Sequence, residues 1–78
     1  MKERVRRIVM DHGRLSVASL SDADDLYRAG MTSHSSVNVM LALESEFDIE
    51  FPDEMLTRET FATIDAIVGA VGSLAGAA

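Results

Sequence analysis

The sequence predicts an all-α fold, a small four-helix bundle with a short third helix and a long connection between the first and second. Three observations carry this. The apolar share of 47% is mainly Leu, Met, Val and Ala, with one Tyr and three Phe, a composition suited to helices. Apolar residues recur at three- and four-residue steps in separate stretches. The chain has 78 residues and no cysteine, so neither a disulfide nor a thiolate zinc site supports it, and one apolar core must suffice.

The first helix is expected from Lys2 to His12, where Val5, Ile8 and Val9 share a face and Gly13 acts as the stop. From Arg14 to Thr32 the pattern is that of a loop, with Leu15, Val17 and Leu20 available to pin it to the core. Ser21 followed by Asp24 resembles an acidic capping box, which would start one or two helical turns through Tyr27 before Gly30. A connection of this length usually carries function or disorder. The second helix is expected from Ser33 or His34 to Phe47 or Asp48. Val39, Met40, Leu43 and Phe47 form its core stripe, and Val37 and Leu41 lie at the border beside Glu44 and Asp48. Pro52 holds Phe51 extended. A short third helix then opens at Pro52 and Asp53 and runs through Leu56, or begins at Thr57. The last helix takes Thr63 as its cap and Asp65 in its first turn, and packs Ile64, Ile67, Val68 and Val71 inward, with Gly69 and Gly72 weakening it.

One domain, 1–78, is expected, with 72–78 as a frayed tail. Charge is uneven. Lys2, Arg4, Arg6, Arg7 and Arg14 against Glu3 and Asp11 make the first fourteen residues +3, and the remainder is −9, for a net charge of −6. Such a surface repels nucleic acid and favours basic partners. The short apolar run Ile8 to Met10 is no signal-peptide core, and Ala66 to Ala78 is too short to cross a bilayer, so a soluble cytoplasmic protein is expected.

Enzymatic readings find little support. His12 and His34 have no metal-binding spacing, and Asp22, Asp24 and Asp25 lack the glycine and terminal Glu of a calcium loop. Ser33 and His34 are adjacent on a helix start, so they point in different directions, and no third group orients the imidazole as a hydrolase would need. The serine itself is notable for its place. Gly30-Met31-Thr32-Ser33 sets a hydroxyl where a loop meets the positive end of the longest helix, a setting that suits an attached phosphate. Ser33 is then either a modified residue or simply the helix cap.

The run from Ser33 to Glu54 resembles the second helix and following loop of acyl carrier proteins. Members of that family place the phosphopantetheine serine three residues after a glycine and fourteen before a segment resembling Phe47-Asp48-Ile49-Glu50-Phe51-Pro52-Asp53-Glu54. Gly30, Ser33 and Phe47 keep those steps, whereas Ser35 and Ser36 do not. Asp25-Leu26-Tyr27-Arg28-Ala29-Gly30 resembles the loop leading into the serine. The departures are Thr32-Ser33-His34 in place of the usual Asp-Ser-Leu, and Ser35, Asn38 and Ser45 where acids are common. Each missing carboxylate changes a rim contact by ~0.2–1 kcal/mol and acts mainly on encounter rate and partner choice, which points to a specialised rather than housekeeping member.

The resemblance implies a carrier without catalysis of its own, probing partners as a monomer. A phosphopantetheinyl transferase would attach 4′-phosphopantetheine from coenzyme A to Ser33, and acyl groups would ride on the arm's thiol to enzymes of fatty-acid, specialised lipid or polyketide-type synthesis. Acyl-loading and acyl-processing enzymes with basic docking patches are the implied partners. Val37 and Leu41 would be apolar contacts, Asn38 and Glu44 polar ones, and His34 a neighbour of the arm. An aminoacyl cargo lies within the same fold. The alternative is an unmodified adaptor that binds a basic partner through the second helix.

Overall fold

The computed structural model describes residues 1–17 and 19–76. Three α-helices follow one another: α1 (Lys2–His12), α2 (Ser33–Phe47) and α3 (Ile64–Ala75), with a 3-10 turn at Asp53–Met55 between α2 and α3. α1 packs against both α2 and α3, which meet each other least. The core is built where the sequence periodicity places it. Val5 and Val9 of α1, Val39 and Leu43 of α2, and Ile64, Ile67 and Val71 of α3 are fully buried, as is Leu26 from the α1–α2 connection. Each such side chain contributes about 1.5–3 kcal/mol relative to exposure. Ala29, Met31, Phe51 and Phe61 from the two connections join the same cluster, and the rings of Phe51 and Phe61 meet at 5.3 Å between centroids.

The expected short third helix is present only as one turn, so the count among the described residues is three α-helices rather than four. Only Asp53–Met55 is helical, as a single 3-10 turn with Met55 N–H donating to Pro52 O and Leu56 N–H to Asp53 O. A second set of turns follows, in which Phe61 N–H donates to Arg58 O. The reason is physical: from Pro52 to Thr63 only Phe61 is buried, and one anchor does not supply the repeating apolar face that stabilises an α-helix. α3 differs in the other direction. It continues through Gly69 and Gly72 to Ala75 and is capped by Gly76, so residues 72–75 of the expected frayed tail are helical. Residues 77 and 78 lie outside the described residues.

The long α1–α2 connection is tied at several points. Ser16 N–H and Oγ both donate to Ala29 O (2.8 and 3.0 Å), Leu26 N–H donates to Ala62 O (2.7 Å), and Asp65 N–H donates to Asp22 O (3.1 Å). Ser21 N–H donates to Asp24 Oδ2 at 2.9 Å, but the residues that follow form turns rather than the expected helix. Leu20 is buried and Leu15 packs against the core, whereas Val17 is exposed. The basic residues of α1 hold the connection and α2 in place. Arg6 donates to Leu20 O and pairs with Asp22, Lys2 pairs with Asp22 at 3.0 Å and with Asp65 at 3.7 Å, and Arg4 bonds Glu46 Oε2 at 2.8 Å with its guanidinium 4.7 Å above the Phe47 ring.

Candidate functional site

The site is assembled where the α1–α2 connection enters α2. Gly30 has a φ of 120°, a conformation that strains any residue with a side chain, and a Cβ there would lie 3.1 Å from both Ser16 N and Ser16 Oγ. Glycine therefore lets the chain turn against the Ser16 segment three residues before Ser33. Thr32, not Ser33, is the N-cap. Its Oγ1 accepts from Ser35 N–H at 3.0 Å, and Ser35 Oγ accepts in return from Thr32 N–H at 2.8 Å. This is a capping box with serine in the position usually held by Glu or Gln.

Two expectations change as a result. Ser33 stands at the first helical position, exposed, and none of the hydrogen bonds that cap α2 uses its hydroxyl. Ser35 is 2% exposed and takes part in the helix start rather than in the exposed surface.

Ser33 opens onto a cleft of about 420 Å³ lined also by Ser36, Val37 and Met40 of α2, Tyr27 of the first connection, and Leu56, Thr57, Arg58 and Phe61 of the second. Ser36 Oγ donates to Ser33 O at 2.8 Å. Arg58 lies with its guanidinium 4.2 Å above the Tyr27 ring. Leu56 is 45% exposed at the cleft and continues an apolar surface with Val37 at 48% and Leu41 at 53%.

The other residues singled out by sequence divide. His34 is exposed next to Ser33. Asn38 is half-buried and lines a separate shallow groove with Asp11, His12, Arg14 and Leu15. Glu44 is half-buried, and its Oε2 accepts from Phe51 N–H at 2.9 Å, so this carboxylate anchors the segment leaving α2. Tyr27, Leu56, Thr57, Arg58 and Phe61 were not anticipated as site residues. Three of them lie in the polar stretch from Thr57 to Phe61, where local pattern carries no signal for a cleft.

Charge is perturbed elsewhere, around α1. The hydrogen bond and charge of Lys2, with Arg6 beside it, hold the Asp22 carboxyl below its ordinary range, and the hydrogen bond and charge of Asp22, with Asp65 nearby, raise the Lys2 amine. The Ser21 backbone N–H similarly lowers Asp24. Among the described residues, Arg58 is the only formally charged side chain lining the cleft, although the chain as a whole carries −6.

Comparison with known proteins defines the class. Residues 3–71 match the family described as phosphopantetheine attachment site. The chain is 46% identical over 69 residues to the aminoacyl carrier protein of Agrobacterium fabrum, a match covering 86% of this chain and 83% of that one. The crystal structure of an engineered Bradyrhizobium japonicum glycine:[carrier protein] ligase complexed with carrier protein from Agrobacterium tumefaciens and AMP contains a chain that is 44% identical. That chain superposes with a TM-score of 0.87, covering 91% of this chain and 97% of its own length. A chain in the Bradyrhizobium japonicum ligase structure complexed with glycylated carrier protein is 24% identical and shares the fold, with a TM-score of 0.78 over 88% and 95% of the two chains. The protein belongs to the acyl and aminoacyl carrier protein family, whose members bear covalently attached 4′-phosphopantetheine.

The residues at the start of α2 fit such a group. The amides of Ser33 and His34 have no acceptor within the helix, the macrodipole favours an anion there, and the Ser33 hydroxyl is accessible. Beside it the cleft offers hydroxyls at Ser36 and Thr57 and apolar surface at Val37, Met40 and Leu56. Among the described residues no helix is long and apolar enough to cross a membrane.

Proposed function

We propose that Ser33 is the attachment residue and that the cargo is an aminoacyl group, received from a ligase and passed on without catalysis by this chain. One observation supports the site most directly: the Thr32–Ser35 box starts the helix and leaves the Ser33 hydroxyl exposed at the mouth of the cleft. Ser33 Oγ forms a bond to the phosphorus of the phosphopantetheine moiety of coenzyme A as the pyrophosphate P–O bond breaks. Adenosine 3′,5′-bisphosphate departs, and a phosphopantetheinyl transferase takes the hydroxyl proton. The bound arm supplies a thiol on which the cargo is held as a thioester.

The aminoacyl reading is supported by the names of the relatives, one an aminoacyl carrier and another a carrier crystallised with a glycine ligase. The core also favours a small cargo: eight of its side chains are fully buried, and the space beside Ser33 is an open cleft rather than an enclosed chamber.

Val37 and Leu41 offer the apolar docking surface, next to Ser33 and unobstructed. Glu44 contributes at its edge while holding Phe51, and Asn38 serves the flank nearer α1. Brief docking of a monomer in the cytoplasm suits so small a patch.

The test is incubation with coenzyme A and a broad transferase, followed by intact mass, then loading by a carrier-protein ligase with ATP and each amino acid. Wild type gains one pantetheine arm and then one aminoacyl group, and Ser33→Ala gains neither. Addition to Ser33→Ala refutes the site, and acceptance of fatty-acyl but not aminoacyl groups refutes the cargo.

A further inference from the structure

The cleft beside Ser33 contains a cation already set for an anion. Lys2, Arg4 and Arg6 are engaged with carboxylates, whereas Arg58 forms no salt bridge among the described residues and instead rests on the Tyr27 ring. Arg58 is exposed as well as seated over the ring, so its N–H donors remain open to an oxyanion. The turn bearing Arg58 is fixed on both sides. Thr57 Oγ1 bonds Thr60 Oγ1 at 3.0 Å and accepts from Thr60 N–H, and Phe61 N–H closes back on Arg58 O. Since both Ser33 and Arg58 line the cleft, a phosphodiester on Ser33 would place an anion in the same cleft as Arg58, the charged side chain among its described lining residues.

We propose that Arg58, held on Tyr27, is the positioning residue that binds the phosphodiester of the arm and keeps its first segment in this cleft. This rests on Ser33 being the attachment residue. The opposite charge is supplied by the protein rather than by a partner, so the arm is oriented before any enzyme docks. Val37, Met40 and Leu56 receive the apolar part of the arm. An exposed charge pair of this kind shifts the ratio of seated to free arm by about 1.5- to 5-fold, and salt weakens it.

The experiment uses the full chain, ¹⁵N-labelled, in apo and pantetheinylated forms of wild type, Arg58→Lys and Arg58→Gln, with loading checked by intact mass. The expected result is that the Arg58 Nε–Hε resonance of wild type shifts on loading. The arm's thiol in Arg58→Gln should react about 1.5- to 5-fold faster with a small soluble disulfide at low salt, with Arg58→Lys between the two and the difference closing at high salt. Normal loading with an unmoved Arg58 resonance, or equal thiol reactivity in wild type and Arg58→Gln, overturns the inference while leaving the attachment residue intact. Failure of wild type to load, or loading of Ser33→Ala, shows up in the mass alone and removes the premise.

Discussion

Replacing Ser35 with alanine tests whether the helix start is organised as described. The substitution removes the acceptor of Thr32 N–H at 2.8 Å, a part-buried bond made by a side chain only 2% exposed. A lost hydrogen bond is worth about 0.5–1.5 kcal/mol, and a donor left unpaired in a buried setting costs about 1–3 kcal/mol. Thr32→Ala removes the reciprocal acceptor, 3.0 Å from Ser35 N–H, and should cost about 0.5–2 kcal/mol as a lost cap. Ser35→Ala is therefore expected to destabilise by about 1–2 kcal/mol, with roughly 4–8 °C lost per kcal/mol in a chain of this size. The two halves share one element, so the double variant should fall short of additivity by at least about 0.5 kcal/mol. Ser33→Ala, whose hydroxyl takes no part in the box, should stay within about 0.5 kcal/mol of wild type. Urea titration followed by circular dichroism measures all four proteins. The reasoning fails if Ser35→Ala is as stable as wild type, if the double variant is strictly additive, or if Ser33→Ala is the more damaging single change.

Other substitutions read different parts of the fold. Gly30→Ala forces a side chain onto a φ of 120° and against Ser16; it should cost about 1–3 kcal/mol in thermal unfolding, and an unchanged midpoint would contradict the close crossing. At Gly69 an added Cβ meets nothing within 4 Å, so Gly69→Ala should stabilise α3 by about 0.4–1 kcal/mol, and any loss in a urea titration counts against an open surface there. Asp22 has a carboxyl lowered from its ordinary 3.8, first by the Lys2 hydrogen bond. A lowered folded-state pKa adds stability that is complete above the unfolded value and is lost as pH falls through the folded one. Asp22→Asn should therefore be less stable than wild type at neutral pH and show a flatter decline below about pH 4. Parallel acid limbs in the two proteins would exclude the pairing.

The parts legible in sequence are those governed by period and by single strong signals. Val5, Ile8 and Val9 with Gly13 define α1, Thr63 caps α3 through Ala66 N–H as expected, and Val39 and Leu43 face the core. The order Gly30, Ser33, Phe47, Pro52 was enough to recognise the family. What escaped depends on choices between neighbours or on contacts across the chain. Thr32 and Ser33 are both competent caps, and the decision rests on Ser35 being close enough to complete the box. Glu44 reads as a surface acid until the chain bends back and offers it Phe51 N–H. Asp48 ends α2 with a φ of 54°, an uncommon conformation that no periodicity announces. Arg58 and Tyr27 are thirty-one positions apart, so nothing local links them.

The capping box carries a consequence for how the protein is used. Helix initiation falls to Thr32 and Ser35, so the residue between them and the solvent is free of structural duty. If Ser33 carries the arm, as we propose, esterifying it breaks none of the hydrogen bonds that start the helix. Bare and loaded chains would then share one helix start. Enzymes that distinguish the two forms would then have to read the arm and its immediate seat.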